Sequence, residues 1–159
     1  MEAIQRDTSA IEIARVSETK SLSGSRVMVI DDSNTIRRSA EIFLLQAGCQ
    51  VILAENGFDA LAKIADHQPD VIFVDIMMPR LDGYQTCALI KKNSKHKSTP
   101  VIMLSSKDSL FDRARGRMVG SDEYLTKPFS KENLLKAVEA HLASSGEAQA
   151  RLDNAPLSP

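Results

Sequence analysis

The sequence has few of the residues that build metal sites and disulfide frameworks. Its 159 residues include two cysteines, three histidines and no tryptophan, and aromatic residues make up only 4%. Cys49 and Cys87 lie far apart among apolar neighbours, which indicates buried free thiols rather than a disulfide. His67, His96 and His141 lack the spacing of zinc ligands and are expected at the surface.

Charge of one sign and long apolar runs are also missing. Twenty basic residues balance twenty-one acidic ones, which gives no electrostatic basis for general nucleic-acid or membrane affinity. No apolar run approaches the roughly 18 residues of a membrane span. The first residues carry charges where a signal peptide needs an apolar core. We therefore expect a cytoplasmic protein without membrane insertion.

What the sequence does contain is a regular alternation of apolar strands and amphipathic helices. Helix N-caps are expected at Ser33 or Asn34, at Asp82 and at Ser130. Continuous apolar strands between helices are typical of a parallel sheet that is covered on both faces. The strands are predicted at residues 26–30, 49–54, 71–75, 100–105 and 123–126.

The helix between the last two strands is the least regular. It is predicted over residues 109–119, where Gly116 weakens it. Its apolar residues at helical spacing are Leu110, Phe111, Ala114 and Met118.

The pattern predicts an α/β fold with a single domain. For this size we expect a flavodoxin-like, doubly wound, five-stranded parallel sheet of order 2-1-3-4-5, whose ligand crevice lies at the carboxyl ends of strands 1 and 3. The domain should span residues 26–143. Residues 1–25 are predicted to be a flexible arm and residues 144–159 a disordered tail, because both are polar and lack a core.

Polar residues follow four of the predicted strands at the edge where the crevice is expected. Asp31 and Asp32 follow strand 1, and Asp75 ends strand 3. Ser105 ends strand 4, and Lys127 follows strand 5. Three carboxylates in one crevice repel each other, by about 4 kcal/mol for two charges 4 Å apart at an effective dielectric of 20.

A divalent cation offsets this repulsion, and oxygen ligands favour Mg²⁺. Asp32, Asp75 and the main-chain carbonyl of Met77 are the predicted direct ligands, and Asp31 is predicted to act through water. A carboxylate beside Mg²⁺ and a lysine is arranged to attack a phosphoryl group. The predicted product is an aspartyl phosphate on Asp75, with Lys127 and Ser105 binding its oxygens.

Three other functions of this fold class fit less well. A flavin-binding loop would be repelled by Asp31 and Asp32. A dehalogenase-type phosphatase needs a second acid two residues after the nucleophile, where Met77 stands. A dinucleotide enzyme needs a glycine-rich turn after a strand, which is absent from the sequence.

These residues resemble the receiver domain of response regulators, of the single-domain CheY-like kind. The resemblance covers residues 26–142. The matching positions, in chain order, are Asp31, Asp32, Asp75, Pro79, Gly83, Ser105, Tyr124, Lys127 and Pro128.

The resemblance implies a signalling switch that catalyses only its own phosphorylation and dephosphorylation. A histidine kinase of the CheA-like kind would donate the phosphoryl group to Asp75 in the presence of Mg²⁺. Ser105 would then move toward the phosphoryl group, Tyr124 would turn inward, and the face formed by helix 4, strand 5 and helix 5 would change its downstream protein contacts. The Lys127–Pro128 peptide bond would be cis.

Within the family, residues 31–38, 74–86 and 104–108 are most similar to regulators of type IV pilus twitching motility. The downstream partner would then be a pilus-motor protein or an associated regulator. A flagellar chemotaxis regulator, a phosphotransfer intermediate that passes the group to another protein, and an unphosphorylated interaction module are the alternatives.

Overall fold

The computed structural model describes residues 22–106 and 110–154, in which five strands alternate with five helices. The strands are β1 (Arg26–Ile30), β2 (Gln50–Ala54), β3 (Val71–Asp75), β4 (Val101–Ser105) and β5 (Glu123–Thr126). The helices are α1 (Asn34–Gln46), α2 (Gly57–His67), α3 (Gly83–Lys92), α4 (Leu110–Met118) and α5 (Lys131–Asn154).

The strands form one parallel sheet of order β2-β1-β3-β4-β5. β3 lies in the middle, and every residue from Val71 to Asp75 is buried. Phe73 pairs with Val29 of β1 and with Ile102 of β4. The predicted fold class and strand order are confirmed, and the carboxyl ends of all five strands meet at one edge of the sheet.

Two apolar clusters cover the two faces of this sheet. Val71 and Phe73 of β3 face the cluster that contains buried residues of α1 and α5. Ile72 and Val74 face the cluster that contains buried residues of α2 and α3. Since residues on both faces of β3 are apolar, the strand has the continuous hydrophobic sequence that predicted it.

The predicted helix starts are confirmed by their hydrogen bonds. The Ser33 hydroxyl accepts from the main-chain N–H of Ile36, and the Ser130 hydroxyl accepts from that of Asn133. At α3, the Asp82 carboxylate accepts from the N–H of Gln85, whose side chain accepts from the N–H of Asp82. This capping box fixes the start of α3 next to the end of β3.

The apolar spacing of α4 does not mark a core face. Leu110, Phe111 and Met118 are 83%, 72% and 86% exposed, so their prediction as inward-facing residues is wrong. The buried position of α4 is Gly116, where a Cβ would lie 2.9 Å from Ser121 Oγ and 3.5 Å from Met103 Cγ. The missing side chain therefore lets the helix lie close to the sheet, and the larger apolar groups point away from it.

Three local features differ from expectation. Leu22 is buried against the α1–α5 cluster, and its carbonyl accepts a hydrogen bond from the Cys49 thiol. His96, expected at the surface, is buried. α5 continues to Asn154 because residues 147–150 are good helix formers. The rest of the predicted arm, residues 1–21, and the last five residues of the predicted tail lie outside the described residues, and the domain boundaries stay predictions.

Candidate functional site

Asp75 lies at the centre of a charged cluster at the carboxyl edge of the sheet. The residue ends the middle strand and is 2% exposed. The Lys127 ammonium donates to Asp75 Oδ1 at 2.9 Å and to Asp31 Oδ2 at 3.1 Å. Asp31 is fully buried, whereas Asp32 is exposed. The structure therefore brings together the acids and the lysine that the sequence placed at strand ends.

Main-chain and side-chain donors fix Asp31 in this cluster. Its Oδ1 accepts from the N–H of Ser33 at 2.9 Å, while Oδ2 is bonded to Lys127. The Arg37 guanidinium donates to the Asp31 main-chain carbonyl at 2.6 Å. Sequence reasoning missed this role of Arg37, because an arginine in the first turns of a helix usually points to solvent and nothing in the local pattern marks it.

Burial and neighbouring charges shift the protonation of the cluster. Burial raises the pKa of Asp75 to about 7; the hydrogen bond from Lys127 lowers it, and the nearby charge of Asp31 raises it. Burial opposes the charge of Lys127, but its hydrogen bond to Asp75 and the charge of Asp31 outweigh this effect and raise its pKa. One ammonium group thus does not fully compensate the buried carboxylates.

The donor set fits a hard divalent cation. Oxygen atoms of Asp31, Asp32 and Asp75 all lie within 4.8 Å of one another. Oxygen ligands with a net negative charge are the set that Mg²⁺ prefers. Both carboxylate oxygens of Asp31 accept hydrogen bonds, and Asp75 Oδ1 accepts from Lys127. The choice of Asp32 and Asp75 as direct ligands therefore stays a prediction. The side chain of Met77 is exposed. The main-chain N–H of Met77 donates to Asp75 Oδ1 at 3.4 Å.

Ser105 and Tyr124 lie on the strands beside β3. Ser105 is buried at the end of β4 and pairs with Thr126 of β5. Its main-chain carbonyl accepts from the N–H of Lys127, which ties the serine to the lysine. Tyr124 is half-buried on β5, and the Arg113 guanidinium lies 5.2 Å from its ring centre. Their roles in switching remain predictions.

The loops around Asp75 have restricted backbones. The Lys127–Pro128 peptide bond is cis, as predicted. The N–H of Gly83 donates to the carbonyl of Ile76 at 2.9 Å, and a Cβ at this glycine would overlap the main-chain carbonyl oxygen of Asp75. Gly83 is therefore required for α3 to start directly against the backbone of the candidate phosphoacceptor.

Sequence reasoning also missed the role of the Tyr84 hydroxyl. Tyr84 was interpreted only as an inner-face residue of α3, yet its hydroxyl lies 3.3 Å from Asp112 Oδ1, and Arg115 covers its ring. The available signal was the residue type, since a buried tyrosine hydroxyl needs a hydrogen-bond partner.

A parallel sheet that carries this acid–lysine cluster at its carboxyl edge has the architecture expected of a receiver domain. Residues 27–139 match the family model of the response regulator receiver domain. The chain belongs to this family. As such it is a signalling protein that works with a histidine kinase as phosphodonor and with downstream partners.

Among curated relatives, this chain is 74% identical to Protein PilG of Pseudomonas aeruginosa over 121 residues, which are 76% of this chain and 90% of PilG. It is 39% identical to Protein PilH of the same organism over 75% of this chain and 98% of PilH. The similarity within the family that residues 31–38, 74–86 and 104–108 indicated is confirmed by the match to PilG.

Solved structures support the same family. The chemotaxis protein CheY4 of Vibrio cholerae superimposes with a TM-score of 0.72 at 35% identity, covering 74% of this chain and 98% of that structure. Within residues 22–106 and 110–154, no helix is both long and apolar enough to cross a membrane.

Proposed function

We propose that this chain is a cytoplasmic response regulator of type IV pilus twitching motility that is switched by phosphorylation of Asp75. The observation that carries the proposal is the buried contact of Asp75 with Lys127 beside two further acids. The high identity to PilG supports the assignment to a pilus pathway rather than to flagellar chemotaxis. A CheA-like histidine kinase is the proposed phosphodonor.

In the proposed transfer, a carboxylate oxygen of Asp75 attacks the phosphorus of a phosphohistidine on the kinase. The O–P bond forms as the P–N bond breaks, and the leaving imidazole takes up a proton. Lys127 stabilises the negative charge of the transferred group, and the Ser105 hydroxyl donates to one of its oxygens. Asp32, Asp75 and the Met77 carbonyl would hold Mg²⁺, with Asp31 acting through water, and the cation would further neutralise the phosphoryl oxygens.

The proposed output follows from the charge that phosphorylation adds. An aspartyl phosphate carries about two negative charges and new acceptor oxygens at the end of β3. Ser105 and Lys127 are bonded through the main chain between β4 and the segment after β5, so a movement of either affects both strands. Tyr124 on β5 and the exposed apolar residues of α4 lie on the face proposed to bind a pilus-motor protein or an associated regulator.

The first test is labelling with phosphoramidate in the presence and absence of Mg²⁺, followed by intact mass measurement. We expect a Mg²⁺-dependent gain of one phosphoryl group that the Asp75→Asn variant lacks. A phosphorylated Asp75→Asn protein would show that another residue is the acceptor. No gain in the unaltered protein under either condition would leave an interaction module that works without phosphorylation.

Two further experiments test the output. Lys127→Ala should still be phosphorylated but should not signal, because the lysine links the phosphoryl group to the segment after β5.

Expression of the chain in P. aeruginosa lacking PilG should restore twitching, and the Asp75→Ala variant should not. Restoration by Asp75→Ala would contradict control by phosphorylation, and transfer of the group from the chain to a histidine phosphotransfer protein would favour the intermediate role instead.

A further inference from the structure

Tyr84 forms a contact between the start of α3 and helix α4. The residue is buried, with 5% of its surface exposed. The hydroxyl donates toward Asp112, with distances of 3.3 Å to Oδ1 and 3.4 Å to the main-chain carbonyl. The Arg115 guanidinium lies 4.4 Å from the ring centre, a cation–π arrangement. Two neighbouring turns of α4 therefore hold opposite parts of the same tyrosine.

The protonation state of the Tyr84 hydroxyl is compatible with a hydrogen bond to Asp112. Burial, and to a lesser extent the charge of Asp112, raise the pKa of Tyr84 to about 12. The hydroxyl is therefore protonated at neutral pH and remains a donor to the carboxylate. Arg115 partly offsets the charge of Asp112 across the ring, so the contact contains a matched cation and anion.

Tyr84 is connected to the phosphoacceptor through a single residue. Its neighbour Gly83 donates to the carbonyl of Ile76 and lies so close to the Asp75 backbone that a Cβ would overlap it. The capping box of Asp82 and Gln85 holds the first turn of α3 rigid. A shift of the Asp75–Ile76 backbone is therefore passed to Gly83 and to Tyr84 without an intervening flexible segment.

The surroundings of Tyr84 allow it to move α4. An open cavity of about 480 Å³ beside Tyr84 is lined by Met77 and Pro79 of the loop after β3 and by Arg115 of α4, among others. The large apolar residues of α4 are exposed, and Gly116 is its buried residue. With so little apolar burial on α4, the contacts of Asp112 and Arg115 with Tyr84 contribute to fixing the position of this helix, together with the contact of Arg113 with Tyr124.

We propose that Tyr84 is a positioning residue that couples the state of the Asp75 loop to helix α4, by a route separate from Ser105 and Tyr124. The proposal rests on phosphorylation of Asp75 as the switching event. In the resting state, the Asp112 and Arg115 contacts hold α4 in one position. Movement of the loop after phosphorylation displaces Tyr84 into the adjoining cavity and releases or repositions α4.

The test compares hydrogen–deuterium exchange of the α4 amides before and after labelling with phosphoramidate and Mg²⁺. Tyr84→Phe removes the hydroxyl and keeps the ring, and Arg115→Gln removes the cation and keeps the hydroxyl contact. Arg117→Gln is the matched control, because Arg117 is exposed on the same helix and forms no cation–π pair among the described residues.

In the unaltered protein, phosphorylation should change exchange across α4. In resting Tyr84→Phe, these amides should exchange about fivefold faster, the effect of losing one hydrogen bond. Phosphorylation should then add less than about half of the wild-type change, while the mass gain at Asp75 stays complete. Arg115→Gln should act in the same direction, and Arg117→Gln should match the unaltered protein. Because the mass gain is unaffected, a general loss of structure does not produce this result.

The outcomes separate the two proposals. If both variants are phosphorylated and show the same α4 response as the unaltered protein, the coupling role of Tyr84 is overturned and the switch function stands. If the unaltered protein gains no phosphoryl group, the proposed function fails and the coupling fails with it.

Discussion

The first four residues of strand β3 stabilise the folded state, whereas the charge of its last residue destabilises it. Residues Val71–Val74 are apolar, fully buried and packed into the clusters on both faces of the sheet. Asp75, one residue further, is nearly as buried but ionisable, and burial raises its pKa to about 7. Equal burial thus stabilises the first four residues and destabilises the charged form of the fifth.

At the end of β3 the protein has an ionisable acid in a position where an apolar residue would be more stable. An apolar side chain at the end of β3 would pack without an electrostatic penalty, but it has no oxygen with which to accept a phosphoryl group. The buried acid is tolerated because Lys127 compensates part of its charge, and the three carboxylates together could hold a cation. The following predictions test the comparison through the free energy of unfolding, measured by chemical denaturation.

The largest change is expected in the apolar part of the strand. Phe73→Ala should lower the free energy of unfolding by about 3–5 kcal/mol, because a fully buried ring is removed and a cavity is left. Phe58→Ala is the control, since that ring is 55% exposed, and it should cost less than about 1 kcal/mol. Similar losses in both variants would show that β3 is not the centre of the core.

Asp75→Asn should raise the free energy of unfolding, whereas Phe73→Ala lowers it. The raised pKa means that the folded state holds a proton that the unfolded state loses between about pH 4 and 7, so the acid lowers stability as the pH rises through this range. Asparagine does not ionise. The variant should therefore be more stable by about 1–4 kcal/mol near pH 8 and should lose this advantage near pH 4.

Asp66→Asn, at an exposed position of α2, serves as the control for this pH series. Its stability relative to the unaltered protein should change little over the same range. A pH-independent effect of Asp75→Asn would contradict the raised pKa.

Mg²⁺ should reduce the destabilisation that the charge of Asp75 causes at the carboxyl end of β3. At about ten times its dissociation constant, a ligand of the folded state adds about 1.4 kcal/mol to the free energy of unfolding. We expect this gain from MgCl₂ at constant ionic strength in the unaltered protein, and a smaller gain in Asp32→Asn, which lacks a proposed ligand. Equal gains in both proteins would argue against Asp32 as a ligand.

The smallest effect is expected for an ion pair away from the sheet. Arg38 and Glu41 lie 3.0 Å apart on α1 with side chains 72% and 24% exposed. Solvent screens such a pair, so Arg38→Ala should change the free energy of unfolding by less than about 0.5 kcal/mol. A larger effect would mean that charge pairs on the helices, and not only those at the sheet edge, contribute to stability.

Much of the fold and the site was predictable because local patterns and the parallel topology agree. The apolar run before Asp75 predicted the middle strand, and Ser33, Asp82 and Ser130 marked helix starts that the structure confirms. Once strand order is known, residues at strand ends must lie at one edge. The convergence of the acids with Lys127 follows from that geometry.

The sequence was less informative where periodicity and packing disagree. Leu110 and Met118 have helical spacing, yet they are exposed because Gly116 contacts the sheet. Burial of Leu22 was not predicted either, since a single leucine in a polar segment has no periodic neighbours in the local pattern.

The amino-acid sequence by itself determined the parallel α/β architecture, the strand positions to within one residue and the set of residues at the carboxyl edge, because these depend on local periodicity and on the direction of the strands. Tertiary structure alone decided that Lys127 contacts both Asp31 and Asp75, how far burial shifts the pKa of Asp75, and that Tyr84 contacts Asp112 and Arg115. These properties depend on distances and dielectric surroundings between residues far apart in the chain, which local sequence patterns do not encode.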